Sequence, residues 1–191
     1  MSEMMQNRTV ADICKDFELQ EEAKPHLAGQ PTPQEFVSRL FKAKLYGDAT
    51  RFLAYALPER EAVWWVCLSV RSIPRCYGDE TSARALDAAE AWVKSPTDAN
   101  RESALAAARK HKFEMPTASA AWAAMAAGWS GLSAPPPGQT APLPGKNLTA
   151  HAVSGAIQLA TNADPDRAAD LCRKFLETGL QIAQGKMRIS P

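Results

Sequence analysis

The sequence predicts an all-α protein of about eight helices packed as antiparallel hairpins. Three observations carry this. Apolar residues recur at helical spacing along most of the chain. Helix-start signals, in which Thr, Ser or Asp stands beside proline or ahead of an acidic residue, recur from Thr9 to Asp164-Pro165. No stretch alternates polar and apolar residues in the manner of a strand. Successive helices share proline or serine at their starts and alanine-rich faces, which hints at a solenoid-like stack, although no fixed period is present.

Thr9 is placed to cap a short first helix that turns Val10, Ile13, Cys14 and Phe17 toward the core, with Asp12 completing a capping-box-like pair. Residues 20–31 contain Pro25, Gly29 and Pro31 and read as a turn-rich connection with one helical turn at 26–28. Thr32-Pro33-Gln34-Glu35 is the strongest start signal, an N-cap threonine, a proline at the first helical position and the reciprocal glutamate. The helix it opens carries Phe36, Val37, Leu40, Phe41 and Leu45 and is expected to end at Gly47. Asp48 or Thr50 then starts a helix that runs through Phe52, Leu53 and Tyr55 to Leu57-Pro58.

The next helix, from Glu59 toward Ile73, is the expected centre of the fold. Its polar residues Glu59, Arg60, Glu61, Ser69, Arg71 and Ser72 do not gather on one face, which predicts burial all round, with Trp64 and Trp65 pointing to different sides. Pro58 suits a first turn, and Glu59 and Glu61 suit the positive end of the helix dipole. Pro74 and Tyr77-Gly78-Asp79 break the chain, and Thr81 or Ser82 caps a helix bearing Ala85, Leu86, Ala89, Trp92 and Val93. Ser95-Pro96 repeats the stop. A helix from about Thr97 to Lys110 follows, and Arg109-Lys110-His111-Lys112 places positive charge at its negative end.

Pro116-Thr117 opens a further helix with Trp122, Met125 and Trp129 at i, i+3 and i+7 among alanines. Residues 131–146 hold five prolines and read as an extended strap. Two helices close the chain: Leu148 to Ala160, then one after Asp164-Pro165 that buries Leu171, Phe175, Leu176 and Ile182 and stops at Gly185. The whole is expected to form one helical domain over residues 1–191.

Composition narrows the function classes. The 22 Lys and Arg balance 21 Asp and Glu, which removes a global electrostatic drive toward nucleic acid or an anionic membrane. The longest strictly apolar run, Ala62 to Leu68, is too short to span a bilayer, and the first residues lack a basic segment followed by an apolar one, so a cytoplasmic protein is expected. Cys14, Cys67, Cys76 and Cys172 show no metal-ligand spacing and read as reduced core thiols. His26, His111 and His151 are scattered, and no metal set emerges. Gly145-Lys146-Asn147 fails as a phosphate loop, because no strand precedes it and Asn147 stands where a hydroxyl is needed. Asp164, Asp166 and Asp170 lack the glycine and glutamate of a calcium loop. No catalytic residue and no cofactor are indicated.

What remains points to a protein partner. Five tryptophans suit both core and interface roles, and Trp129, at a helix end beside Gly128 and the strap, is the one best placed for an interface. Arg60 and Arg71 are charges on a helix that otherwise reads as buried, so each pairs within the chain or forms a recognition surface. Trp129, Arg60 and Arg71 are therefore the partner-binding candidates.

Ala56-Leu57-Pro58-Glu59-Arg60-Glu61-Ala62-Val63-Trp64-Trp65, followed by Ala91-Trp92-Val93, Ala121-Trp122-Ala123-Ala124-Met125 and Pro135-Pro136-Pro137, resembles a family of small, uncharacterised, all-helical bacterial proteins. That resemblance implies no catalytic residues and a setting near bacterial secretion systems, including type VI. The expected function is a non-enzymatic interaction module, an adaptor or chaperone for a secreted effector. The alternatives are an immunity-type inhibitor of a toxin and a small helical enzyme built from carboxylates and arginines.

Overall fold

Helix starts fall largely where the caps place them. In the computed structural model, which describes residues 8–131 and 147–189, the described residues form nine α-helices and three short 3₁₀ helices joined by turns, and no strand occurs among them. Thr9 caps α1 (Val10–Cys14), its Oγ1 accepting the Asp12 N–H at 3.1 Å. Thr32 and Glu35 close the reciprocal capping box at the start of α2 (Pro33–Lys42). Between them lies a 3₁₀ helix over Glu21–Leu27, longer than the single turn expected at 26–28. Its end is held by Arg39, which donates to the carbonyls of His26 and Ala28 at 3.0 and 2.7 Å.

α2 ends before the expected Gly47. Lys44 takes the left-handed conformation instead (φ 60°), so that Leu45 N–H reaches the Leu40 carbonyl at 2.9 Å and Lys44 N–H reaches that of Phe41 at 3.0 Å. This double closure sets Leu45 back over the helix it has left, and that apolar contact offsets the cost of a left-handed lysine. Gly47 then falls in the first turn of α3 (Tyr46–Ala56), which begins ahead of both expected starts. Asp48 in that turn is buried and accepts Gln20 N–H at 3.2 Å.

Pro58 precedes α4 (Glu59–Arg71), whose Val63, Trp65, Val66 and Val70 are wholly buried. Burial is not all round, however. Arg60, Trp64, Leu68 and Arg71 are partly exposed and fall on one stripe at i, i+4, i+8 and i+11. Asp79, rather than Thr81 or Ser82, caps α5 (Glu80–Lys94) by accepting Ser82 N–H at 2.9 Å, which frees Ser82 to be buried. α6 (Asp98–Arg109), α7 (Ala118–Trp129), α8 (Leu148–Asn162) and α9 (Ala168–Ala183) follow, and Gly185 stops α9 in a left-handed turn. The proline-rich strap lies outside the described residues except for Gly131.

The helices close around a shared core instead of stacking in series. α4 packs on α5, α7, α8 and α9, and α7 packs on α5, α6 and α8, whereas a solenoid unit would touch only its chain neighbours. Alanine makes the close approach to α7 possible: Ala120, Ala121, Ala123, Ala124, Ala126 and Ala127 are all fully buried. Leu105 of α6 sits against the bare backbone of Gly128, where an added Cβ would fall 2.8 Å from Leu105 Cβ. Among the described residues no helix is long and apolar enough to cross a membrane.

Candidate functional site

α7 turns its alanines inward and leaves Trp122, Met125 and Trp129 half-buried on its outer face. The rings of Trp122 and Trp129 meet edge to face at 6.3 Å, and Trp122 also meets Phe113 at 6.3 Å and His151 of α8 at 6.4 Å. Phe113 and Met115, in the segment joining α6 to α7, are 39% and 53% exposed, the large apolar side chains most open to solvent among the described residues. Phe113, Trp122, Trp129 and His151 thus make a contiguous aromatic surface across α7, α8 and the α6–α7 connection, in which Met115 is also exposed.

The connection is held in place by hydrogen bonds. Phe113 has a left-handed backbone (φ 57°), and its N–H donates to His111 Nδ1 at 2.7 Å. That bond assigns the imidazole proton to Nε2, which lies 3.0 Å from Ser82 Oγ and 3.1 Å from Thr117 Oγ1. Both hydroxyls pass their own protons onward, Ser82 to Asp79 Oδ2 at 2.5 Å and Thr117 to the Glu114 carbonyl at 3.1 Å. Every polar atom of the buried His111 ring is thereby satisfied, and Phe113 is presented outward at the cost of an uncommon backbone conformation.

Asp79, Ser82 and His111 do not form a nucleophilic triad. The serine proton points at the carboxylate rather than at the imidazole, and Ser82 is wholly buried. The same Ser82 hydrogen bonds hold the Asp79 carboxyl below its usual range. The thiols are equally unsuited to nucleophilic chemistry: burial pushes Cys14 up to about 11 and raises Cys67, Cys76 and Cys172 as well. Among the described residues no three His, Cys, Asp or Glu side chains converge as metal ligands would.

Of the three partner-binding candidates, only Trp129 belongs to this surface. Arg60 donates from Nε to the Val93 carbonyl at 2.7 Å and from Nη2 to that of Lys94 at 3.2 Å, which covers the open end of α5. Arg71 lies eleven residues further along α4, about 16 Å away. Its guanidinium bonds Glu90 at 2.9 Å and Asp87 at 2.7 Å and stacks on Tyr77 at 4.8 Å. The Glu90 hydrogen bond holds its pKa above the usual arginine value. Both arginines thus tie α5 to α4, Arg71 through ion pairs and Arg60 through backbone carbonyls, and each stays partly exposed. Trp129 is anchored nearby, since Gly131 N–H donates to Glu59 Oε2 at 2.7 Å.

Phe113 and Met115 carry no helical periodicity that marks them in the sequence, and His151 stands out there only as a scattered histidine without a metal set. A signal was present: Phe113 and Met115 alternate with Lys112 and Glu114 just before Pro116, where a helix is disfavoured, so two large apolar side chains stood in a segment with no periodic face to bury them.

A family model described as "Family of unknown function (DUF6931)" matches residues 36–183, which include the Ala56–Trp65 motif. No curated protein and no solved structure matches the chain.

Proposed function

Since the chain belongs to the DUF6931 family, whose function is unknown and which supplies no activity to carry over, we propose from its surface that it is a non-enzymatic protein-interaction module. The observation that carries the reading is the aromatic surface of Phe113, Met115, Trp122 and Trp129. Large apolar side chains gathered at a rim of polar residues mark contact sites, and tryptophan is among the residues that dominate such contacts. The His111 network adds to this, because a left-handed Phe113 serves no purpose in covering the core. In its finer form the proposal makes the protein a bacterial, cytoplasmic adaptor or chaperone that holds a secreted effector, in the type VI setting implied by the Ala56–Trp65 resemblance.

The test is affinity capture from the protein's own cell with the partner identified by mass spectrometry. Replacing Phe113 and Met115 together by serine is expected to leave the melting temperature within about 2 °C while removing the partner. Capture of no partner by the unaltered protein, together with turnover of a small metabolite, would replace the module by an enzyme.

A further inference from the structure

Glycines inside helices are costly, and of the four in the described helices, Gly47, Gly128, Gly155 and Gly179, two are covered. Gly128 lies under Leu105, and Gly179 lies under Trp65, each with an added Cβ only 2.8 Å from the covering side chain. Gly47, in the first turn of α3, and Gly155, in the middle of α8, are open: at either, an added Cβ would meet nothing within 4 Å among the described residues. The backbone of Gly155 is ordinary helix, so neither conformation nor packing accounts for it.

Gly155 forms part of a cleft of about 410 Å³ bounded by Trp122 and His151 on one side and by Arg51 and Tyr55 of α3 on the other. Ser154 also lines the cleft; it is 5% exposed, and its hydroxyl has no hydrogen-bond partner among the described residues. No buried side-chain oxygen or nitrogen among the described residues lacks a partner, so the Ser154 hydroxyl is open to the solvent of the cleft and can exchange that water for a ligand. Gln158 and Asn162 also line a second cleft, of about 320 Å³, toward α9, walled by small residues including Gly47 and Thr50. From His151 to Asn162 the first cleft runs about 16 Å along α8, the span of roughly five extended residues. Arg51 is the one Lys, Arg, Asp or Glu side chain lining either cleft. Its Nη1 is committed to the Glu18 carbonyl at 2.6 Å and approaches Asp48 at 3.9 Å, which fixes the guanidinium at the groove edge with further donors to offer.

We propose that this groove binds an extended acidic peptide segment of a protein partner, with a carboxylate at Arg51 and the peptide backbone laid over Gly155. The fit is chemical as well as steric. Gln158 and Asn162 amides and the Ser154 hydroxyl match a peptide's own donors and acceptors, a missing Cβ lets that backbone approach α8, and Trp122 supplies an aromatic wall for a neighbouring apolar side chain. The proposal rests on the interaction-module reading and names the chemistry of the partner.

The probe is the pentapeptide acetyl-ALDLA-amide, titrated to about 1 mM into the ¹⁵N-labelled full chain, with acetyl-ALNLA-amide as the uncharged control. Saturating shifts are expected at the Ser154 and Gly155 amides and at the Trp122 indole, with the asparagine peptide binding at least about tenfold more weakly. Gly155→Leu is expected to abolish binding, whereas Gly155→Ala raises the melting temperature by about 1–4 °C, because it removes a helical glycine without a clash. No shifts with the acidic peptide, equal binding of both peptides, or full binding by Gly155→Leu would each overturn the proposal. So would a lower melting temperature for Gly155→Ala, which would make the glycine a requirement of the fold. Replacing residues 134–144 by a Gly-Ser linker checks the chain's own segment as occupant, and shifts at Ser154 and Gly155 from that change alone would also overturn it. If the groove fails while serine at Phe113 and Met115 still removes a captured partner, the module reading stands alone. Loss of both removes the module.

Discussion

The indole of Trp65 packs against the backbone of Gly179, where an added Cβ would fall 2.8 Å from its Cε2, and its Nε1–H donates to the Phe175 carbonyl at 2.7 Å. This contact joins α4 to α9 across 110 residues of sequence. Alanine at Gly179 would gain helix propensity worth about 1 kcal/mol on an exposed helix, but here it drives a methyl group into a rigid ring. Gly179→Ala is therefore expected to destabilise by about 1–3 kcal/mol in urea unfolding. A variant as stable as the parent would show that the ring does not sit there.

The two adjacent tryptophans separate on the same reasoning. Trp65→Ala leaves a large cavity and removes the indole bond to the Phe175 carbonyl, a loss of about 3–5 kcal/mol. Trp64 is half-exposed, and its alanine variant is expected to lose about 1–2 kcal/mol. Equal unfolding midpoints for the two variants would contradict the burial difference.

Arg71 is expected to act within the fold. Its ion pairs are partly solvated, so solvent screening limits the coupling in an Arg71→Ala, Glu90→Ala double-mutant cycle to about 0.5–1 kcal/mol. Measured coupling near zero would mean that the guanidinium is free for another partner.

Removing the His111 imidazole leaves Ser82, Thr117 and the Phe113 N–H each short of a partner. His111→Ala is expected to cost about 1–3 kcal/mol and to speed hydrogen exchange at the Phe113 amide. Exchange at the parental rate would show that Phe113 is held by other means.

Acid should loosen the helix starts. The Lys15 and Thr9 hydrogen bonds hold the Asp12 carboxyl at about 2, the Thr32 N–H lowers Glu35, and Ser82 lowers Asp79. A carboxyl whose folded pKa is depressed contributes stability that is complete above its unfolded value, about 4, and is lost as pH falls toward the folded one. The urea midpoint is thus expected to fall between about pH 4 and pH 2, with Asp79→Asn removing part of the slope. An unchanged midpoint across that window would show that these caps contribute nothing.

Much of the scaffold was legible because its signals are short-range. The Thr32–Glu35 box, the break at Pro58 and the stop at Gly185 each involve hydrogen bonds or backbone restrictions within a few residues, and the structure places all three where the sequence does. The end of α2 was not legible, because Lys44 occupies a left-handed turn that a glycine seemed to reserve, held by Leu45 folding back over the helix. For Arg60 and Arg71 the sequence favours pairing within the chain over a recognition surface but does not name the partners, since Val93, Lys94, Asp87 and Glu90 lie on another helix.

By itself the sequence determined the helical class, most of the starts and stops, and the apolar identity of the core, all consequences of caps and periodicity that act along the chain. Tertiary structure decided which side of each helix is covered: Trp65 inside and Trp64 at the edge, Phe113 and Met115 outward, Gly179 beneath a ring and Gly155 beneath nothing among the described residues. Burial is a property of contacts between residues far apart in sequence, and no local pattern encodes which neighbour arrives.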